Sequence, residues 1–241
     1  ELNDLENTAS MLSDLGTVYI ELKAYEQALT AFQEALEITR QTKNRSLEID
    51  ALAGQAYLYF AINNYSAALV AQGQAVQLAR DISTPRWEGD SLNALGFIQL
   101  RLSDIQAANR SFQDGLAIGA RIQAPKIVWQ AHVGLAAVCE RQGAIDHARE
   151  HYQKAIEAME RVRGGLGAED ERVGFFQDKV KVYKDMVALL MRLHVKDSTK
   201  NYDAEAFHFS ERGRARAFLD LLGEAKNVGR AIDPDLLKRQ E

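Results

Sequence analysis

Leu12 to Ala35 reads LSDLGTVYIELKAYEQALTAFQEA, and its spacing predicts two amphipathic helices joined by a short turn. A first helix over about Asp4–Leu22 shows Leu12, Leu15, Gly16 and Tyr19 on one face. A second, over about Tyr25–Thr39, shows Ala28, Leu29, Phe32, Ala35 and Leu36. Stepping forward by forty residues, Gly16 is followed by Ala56, Gly96 and Ala136, Ala28 by Ala68, Ala108 and Ala148, and Ala35 by Ala75, Gly115 and Ala155. Three columns therefore hold only Gly or Ala over four copies, without an insertion. A side chain larger than methyl would hold crossing helices apart, so such columns mark close crossings. Phe32, Phe112 and Tyr152 fill a wider gap, and Gln72 interrupts that aromatic column.

The rest of the chain fits this frame. Turns inside the copies fall at Lys23-Ala24, Asn63-Asn64, Ser103-Asp104 and Gly143-Ala144. Pro85 and Pro125, in register with Arg45, stand where the first helices of their copies begin, a position at which a missing N–H costs nothing. The period fails after Arg163. Gly164-Gly165-Leu166-Gly167 reads as a break or helix end. Ala168 to Val195 then reads as one long helix with Val173, Phe176, Val180, Tyr183, Val187, Leu190 and Leu193 near one face. Lys196–Tyr202 is a polar loop, Asp203–Ala225 a further helix, and Asp233-Pro234 the start of another. With 241 residues, 46% of them hydrophobic, and only three Pro, the expected class is all-α.

The net charge of −5 arises from mixed signs with no basic block, which argues against a nucleic-acid partner. No apolar run suits a membrane span, and no secretory signal is visible, so a cytoplasmic location is expected. A start at Glu1 without Met and an end in helical-type sequence lead us to expect a fragment of a longer protein.

Leu15-Gly16-x-x-Tyr19, followed by Ala28-x-x-x-Phe32 and Ala35, resembles the signature of the tetratricopeptide repeat. The resemblance covers about residues 9–162 and implies a right-handed α-α superhelix with the first helix of each pair lining its concave side. The expected organisation is a solenoid over 1–163, with repeats at about 9–42, 49–82, 89–122 and 129–162. A degenerate fifth pair over 164–226 caps it, and 227–241 is a linker with the start of a truncated helix. The usual repeat has 34 residues, so a period of forty implies either longer helices or a longer connection between copies. A second resemblance lies in FFQDKVKVYKDMVALLMRL and in Ser210–Leu222, SERGRARAFLDLL. These look like the segment that joins tetratricopeptide repeats to a CHAT domain, a caspase-like cysteine peptidase fold of many bacterial proteins. No catalytic His-Gly or Cys motif is present to carry over.

No constellation in the chain points to catalysis or to a cofactor. Cys139 falls in the column of Tyr19 and Tyr59 and reads as a small core residue. His132 occupies the Leu12 column. His147 and His151 are four apart on one helix, with Glu150 a weak third ligand, and His194 and His208 flank a loop. Gly164–Gly167 lacks the Lys and Ser/Thr of a phosphate loop. The expected role is therefore binding. Positions one and four beyond the first Gly/Ala column give Thr17, Tyr57, Phe97, Ala137 and then Ile20, Phe60, Leu100, Glu140. Asn93 alone resembles the residues with which carboxylate-gripping tetratricopeptide domains hold a chaperone's C terminus. An apolar peptide or helix would suit Tyr57, Phe60, Phe97 and Leu100; alternatively these side chains pack on adjacent helices. Arg212, Arg214 and Arg216, interleaved with Glu211 and Asp220, read as a charged docking face for a C-terminal domain.

Overall fold

The computed structural model describes residues 2–165 and 175–231. Among them the fold is all-α, with no strand. The helices are α1 (Leu2–Glu21), α2 (Tyr25–Thr42), α3 (Arg45–Ala61), α4 (Tyr65–Asp81), α5 (Pro85–Arg101), α6 (Ile105–Arg121), α7 (Pro125–Arg141), α8 (Ile145–Gly165), α9 (Phe175–Lys196) and α10 (Tyr202–Ala231). None of the described helices is long and apolar enough to cross a membrane. The chain divides into two compact units, Glu1–Ala144 and Ile145–Glu241. That border falls in the turn before α8, while the sequence period runs on to Arg163.

A backbone clock sets the period in the first unit. Lys23, Lys43, Asn63, Ser83, Ser103, Gln123 and Gly143 all take positive φ, from 53° to 74°, so a left-handed residue stops a helix every twenty positions. After each, the next N–H reaches five residues back, as in Ala24 to Tyr19 (2.8 Å), Asn64 to Tyr59 (2.8 Å) and Thr84 to Ala79 (3.0 Å). This satisfies a carbonyl that the helix end would otherwise orphan. Asn44, Asn64 and Asp104 then open the next helix by accepting from the N–H of Leu47, Ala67 and Ala107. From α3 to α7 each helix has 17 residues, and the turns are short. Longer helices, with no added connection, account for the forty-residue period.

Packing follows the small columns. Ala28, Ala35, Ala68, Ala75 and Ala108 are each 0% exposed. Phe32 lies between α1 and α3: a Cβ on Gly16 would sit 2.7 Å from its Cζ, and a Cβ on Gly54 would collide with the same ring. Eighty residues on, Phe112 fills the same place between Gly96 and Gly134. The intervening crossing has Gln72, and Ala56 and Ala94 stand in the glycine columns. Gln72 is buried and its Nε2 donates to the Ser91 carbonyl at 3.2 Å, so the break in the aromatic column is a second solution to one geometry. Leu15, expected on a buried face, is 41% exposed.

In the second unit, α9 packs against both α8 and α10. Its buried residues are Val182, Tyr183, Met186, Leu189 and Leu190. Of the face expected from sequence, Val180, Val187 and Leu193 are only half-buried, because a helix between two neighbours buries a stripe turned toward Met186. Val173 and the side chain of Phe176 fall outside the described residues, as does Asp233-Pro234. Ala206, Phe209 and Gly213 face inward on α10, where a Cβ on Gly213 would come within 3.0 Å of the Tyr183 Cβ.

Candidate functional site

In the first unit the odd-numbered helices pack side by side, α1 with α3, α3 with α5 and α5 with α7. They form the face on which a partner was expected, and the candidates on it divide by burial. Tyr57 is 49% exposed and Thr17 is exposed, while Phe60, Phe97 and Glu140 are half-buried. Ile20 is in a core cluster with Ala28, Phe32 and Leu58, and Leu100 in one with Phe112, Leu135 and Val138. These two are core residues. Four positions beyond the small column the helix has rotated far enough to meet the second helix of its own pair.

Asn93 is also a core residue. It is 2% exposed, and its Nδ2 donates to the Ile127 carbonyl at 2.9 Å, tying α5 to α7. A Cβ on Gly115 would stand 2.6 Å from the Asn93 Oδ1, so the glycine in that column makes room for the amide. Without Asn93 at the surface, the face offers no group of the carboxylate-clamp kind among the original candidates.

The half-buried aromatics are held by their neighbours. Phe97 meets Phe112 edge to face at 4.9 Å, and Phe60 meets Tyr65 in the same way at 5.4 Å. Arg101 lies over both Phe60 and Tyr65, at 5.5 and 5.7 Å, placing a cation beside the apolar surface. Burial, and then the charge of Asp14, push the Asp50 carboxyl up to about 6. Asp50 stands two helical turns before Tyr57, and Asp90 two turns before Phe97. This acidic column was missed in the sequence, although the i, i+7 spacing carries it.

Among the described residues of the second unit, Arg149, Arg212 and Arg214 form ion pairs within it. Arg212 reaches both oxygens of Glu160, at 2.6 and 2.7 Å, and the Tyr183 hydroxyl donates to the same carboxylate at 2.7 Å. Arg149 holds Glu205 through two nitrogens and lies over Tyr202 at 5.8 Å. Arg214 is exposed and pairs with Glu211 at 2.6 Å, and the side chain of Arg216 falls outside the described residues. Of the histidines, His147 is exposed and His151 half-buried, the latter's pKa lowered chiefly by burial. Among the described residues no three His, Cys, Asp or Glu side chains are grouped to hold a metal. Cys139 is half-buried, as are Tyr19 and Tyr59 in its column.

The open hollows lie elsewhere. One of about 630 Å³ is lined by Gln33, Leu36, Glu37, Arg40, Gln41 and Gln55. Another, of about 520 Å³, is lined by Ile145 and by Met191, Arg192, Leu193, Val195 and Lys196 of α9.

Residues 7–81, the first two helix pairs, match the family model described as tetratricopeptide repeat. No curated protein matches the chain significantly. Among solved structures, BtubC (BKLC) from P. vanneervenii superposes with a TM-score of 0.65 at 14% identity, covering 95% of this chain and 84% of that one. A putative kinesin light chain of Podosopora anserina with nearly identical TPR-like repeats gives 0.61 at 14% identity, covering 88% and 95%. A Rap protein complexed with competence and sporulation factor gives 0.60 at 16% identity, covering 88% of this chain and 66% of that one. At these identities the likeness is one of fold. The class it defines is the tetratricopeptide-repeat fold, whose repeats are generally protein-interaction scaffolds.

Proposed function

We propose that the chain is a non-catalytic scaffold that binds a protein or peptide on the face formed by α1, α3, α5 and α7. The observation that carries this reading is Tyr57, 49% exposed on α3, one helix away from Phe97 on the face where odd-numbered helices meet. Aromatic side chains so placed are favoured anchors for an apolar group, since they bring large contact area with few rotors to freeze. The fold relative complexed with competence and sporulation factor supports binding as the mode of action.

The test is selection from a displayed peptide library on the whole chain, followed by affinity measurement with Tyr57→Ala and Thr17→Ala. Selected peptides should carry apolar anchors and lose about tenfold or more with Tyr57→Ala. Equal affinity for wild type and Tyr57→Ala would sink the proposal.

The resemblance of α9 and α10 to a CHAT-adjoining segment favours a finer reading. In it the scaffold supports or regulates a C-terminal caspase-like peptidase, and the hairpin over 164–226 passes changes on partner binding to that domain, with Arg214 and Arg216 in its docking face. Deleting residues 1–165 from the parent protein should then change peptidase activity or its response to partners. A coding sequence that lacks a His-Gly and a later Cys motif downstream of Glu241 would favour a stand-alone adaptor instead.

A further inference from the structure

Arg101 is the last residue of α5, and it is exposed. Arg40, Arg80, Arg149 and Arg212 each face a carboxylate. Arg101, by contrast, makes no ion pair among the described residues. Its guanidinium sits instead on two rings of the preceding helix pair, with Cζ 5.5 Å from the centre of Phe60 and 5.7 Å from that of Tyr65. The seat is itself fixed. Phe60 and Tyr65 meet edge to face at 5.4 Å, and the Tyr65 hydroxyl donates to the Asn63 Oδ1 at 2.6 Å.

The repeat register shows that this seat is built once in the first unit. Forty residues on, Leu100, Ile105 and Arg141 hold the places of Phe60, Tyr65 and Arg101, and Arg141 has no ring contact among the described residues. Forty residues back stand Ile20, Tyr25 and Ala61, a single ring and no cation. A basic residue in the last turn complements the carbonyl end of a helix wherever it falls, which accounts for Arg141 but not for the paired rings under Arg101. Cation–π attraction uses the charge of a guanidinium while leaving its N–H donors unspent, and it freezes the side chain before any partner arrives. The place is also specific. Phe60 follows the exposed Tyr57 by one helical turn on α3, so the cation borders that aromatic. Asp50 lies on the other side of Tyr57, two turns earlier.

We infer that Arg101, seated on Phe60 and Tyr65, receives a side-chain carboxylate of the protein partner, from an Asp or Glu within about one helical turn of the apolar group that packs on Tyr57. The inference rests on the binding reading proposed above and adds to it the charge that the partner carries beside its anchor. A chain-terminal carboxylate is not the occupant, because Asn93, the amide that would help to grip one, is buried against the Ile127 carbonyl.

The test uses the whole chain and the peptides selected on it, each resynthesised with its Asp and Glu residues replaced in turn by Asn and Gln, and separately with an amidated C terminus. Arg101→Gln should weaken the parent peptide about tenfold and leave the peptide neutralised beside its anchor unchanged. Arg101→Lys should recover only part of the loss, since the charge returns without the fork. Arg141→Gln, which removes an arginine of the same register that no ring holds, should change affinity by less than about twofold. A merely structural Arg101 would weaken parent and neutralised peptides alike, and that result overturns the inference. So do selected peptides that carry no acidic residue near the anchor, and a loss on amidation that replacement of the side-chain carboxylates does not reproduce. Binding that falls with Tyr57→Ala but ignores Arg101→Gln overturns this inference and leaves the binding reading standing. Failure to select any peptide, or indifference to Tyr57→Ala, sinks both.

Discussion

In the first unit Phe32 fills the space between Gly16 and Gly54, while in the second the Glu160 carboxylate gathers Tyr183 of α9 and Arg212 of α10. The first contact is shape alone and recurs eighty residues later at Phe112. The second is a charge-assisted cluster with no counterpart at the repeat period. A repeating unit meets the same geometric problem at every crossing, so a small column and one large side chain suffice. Where the period fails, register is held by specific partners: Glu160 with Arg212, and Arg149 with Glu205. Charges do bridge the repeats, as in Arg40 with Glu48 and Arg80 with Glu88, but they recur in register and accompany the packing.

This contrast breaks most visibly at the ring. Phe32→Ala should cost about 3–5 kcal/mol in urea unfolding, because two glycines leave nothing to collapse into the space. Gly54→Ala should cost about 1–3 kcal/mol by overpacking, despite the better helix propensity of Ala. Adding Phe32→Leu should recover part of that loss, and strict additivity of the two changes would show that ring and glycine do not share one space.

In the second unit, Glu160→Gln should cost about 1 kcal/mol, discounted for the exposure of both partners, and most of that should vanish in 1 M salt. A loss that persists at high salt would mean that packing holds this unit as well.

The smallest expected effect concerns pH. The Asp50 carboxyl is raised to about 6 from 3.8, so the folded state binds its proton more tightly than the unfolded chain does. Its charge therefore disfavours folding at pH 7, and stability recovers as pH falls through 6 toward 3.8. Asp50→Asn should stabilise the chain by about 1 kcal/mol or less at pH 7, after allowance for its partial exposure, with the gap closed by pH 4. A gap that widens on acidification would assign Asp50 a favourable partner instead.

Much of this was legible in the sequence. The Gly/Ala columns, the turn positions and the starts at Pro85 and Pro125 are local or periodic features, and each has one physical meaning. The candidate face was legible only in part. Counting one and four residues from the small column gathered Tyr57, which is exposed, and Phe97, which is half-buried, together with Ile20 and Leu100, which turn into the core. Asn93 looked like a surface polar residue, because nothing local reveals that Gly115 leaves a hollow for its amide. Arg212 looked free for docking because its partner, Glu160, lies 52 residues away.

The sequence by itself determined the all-α class, the forty-residue period and the places where helices cross, since helical spacing and the need for small side chains at crossings act over a few turns. Only the tertiary structure decided that the extra period length is helix, that Phe32 and Phe112 each occupy paired glycines, and which candidates remain at the surface. Those outcomes depend on how far each helix rotates against neighbours distant in the chain, a quantity that no local pattern encodes.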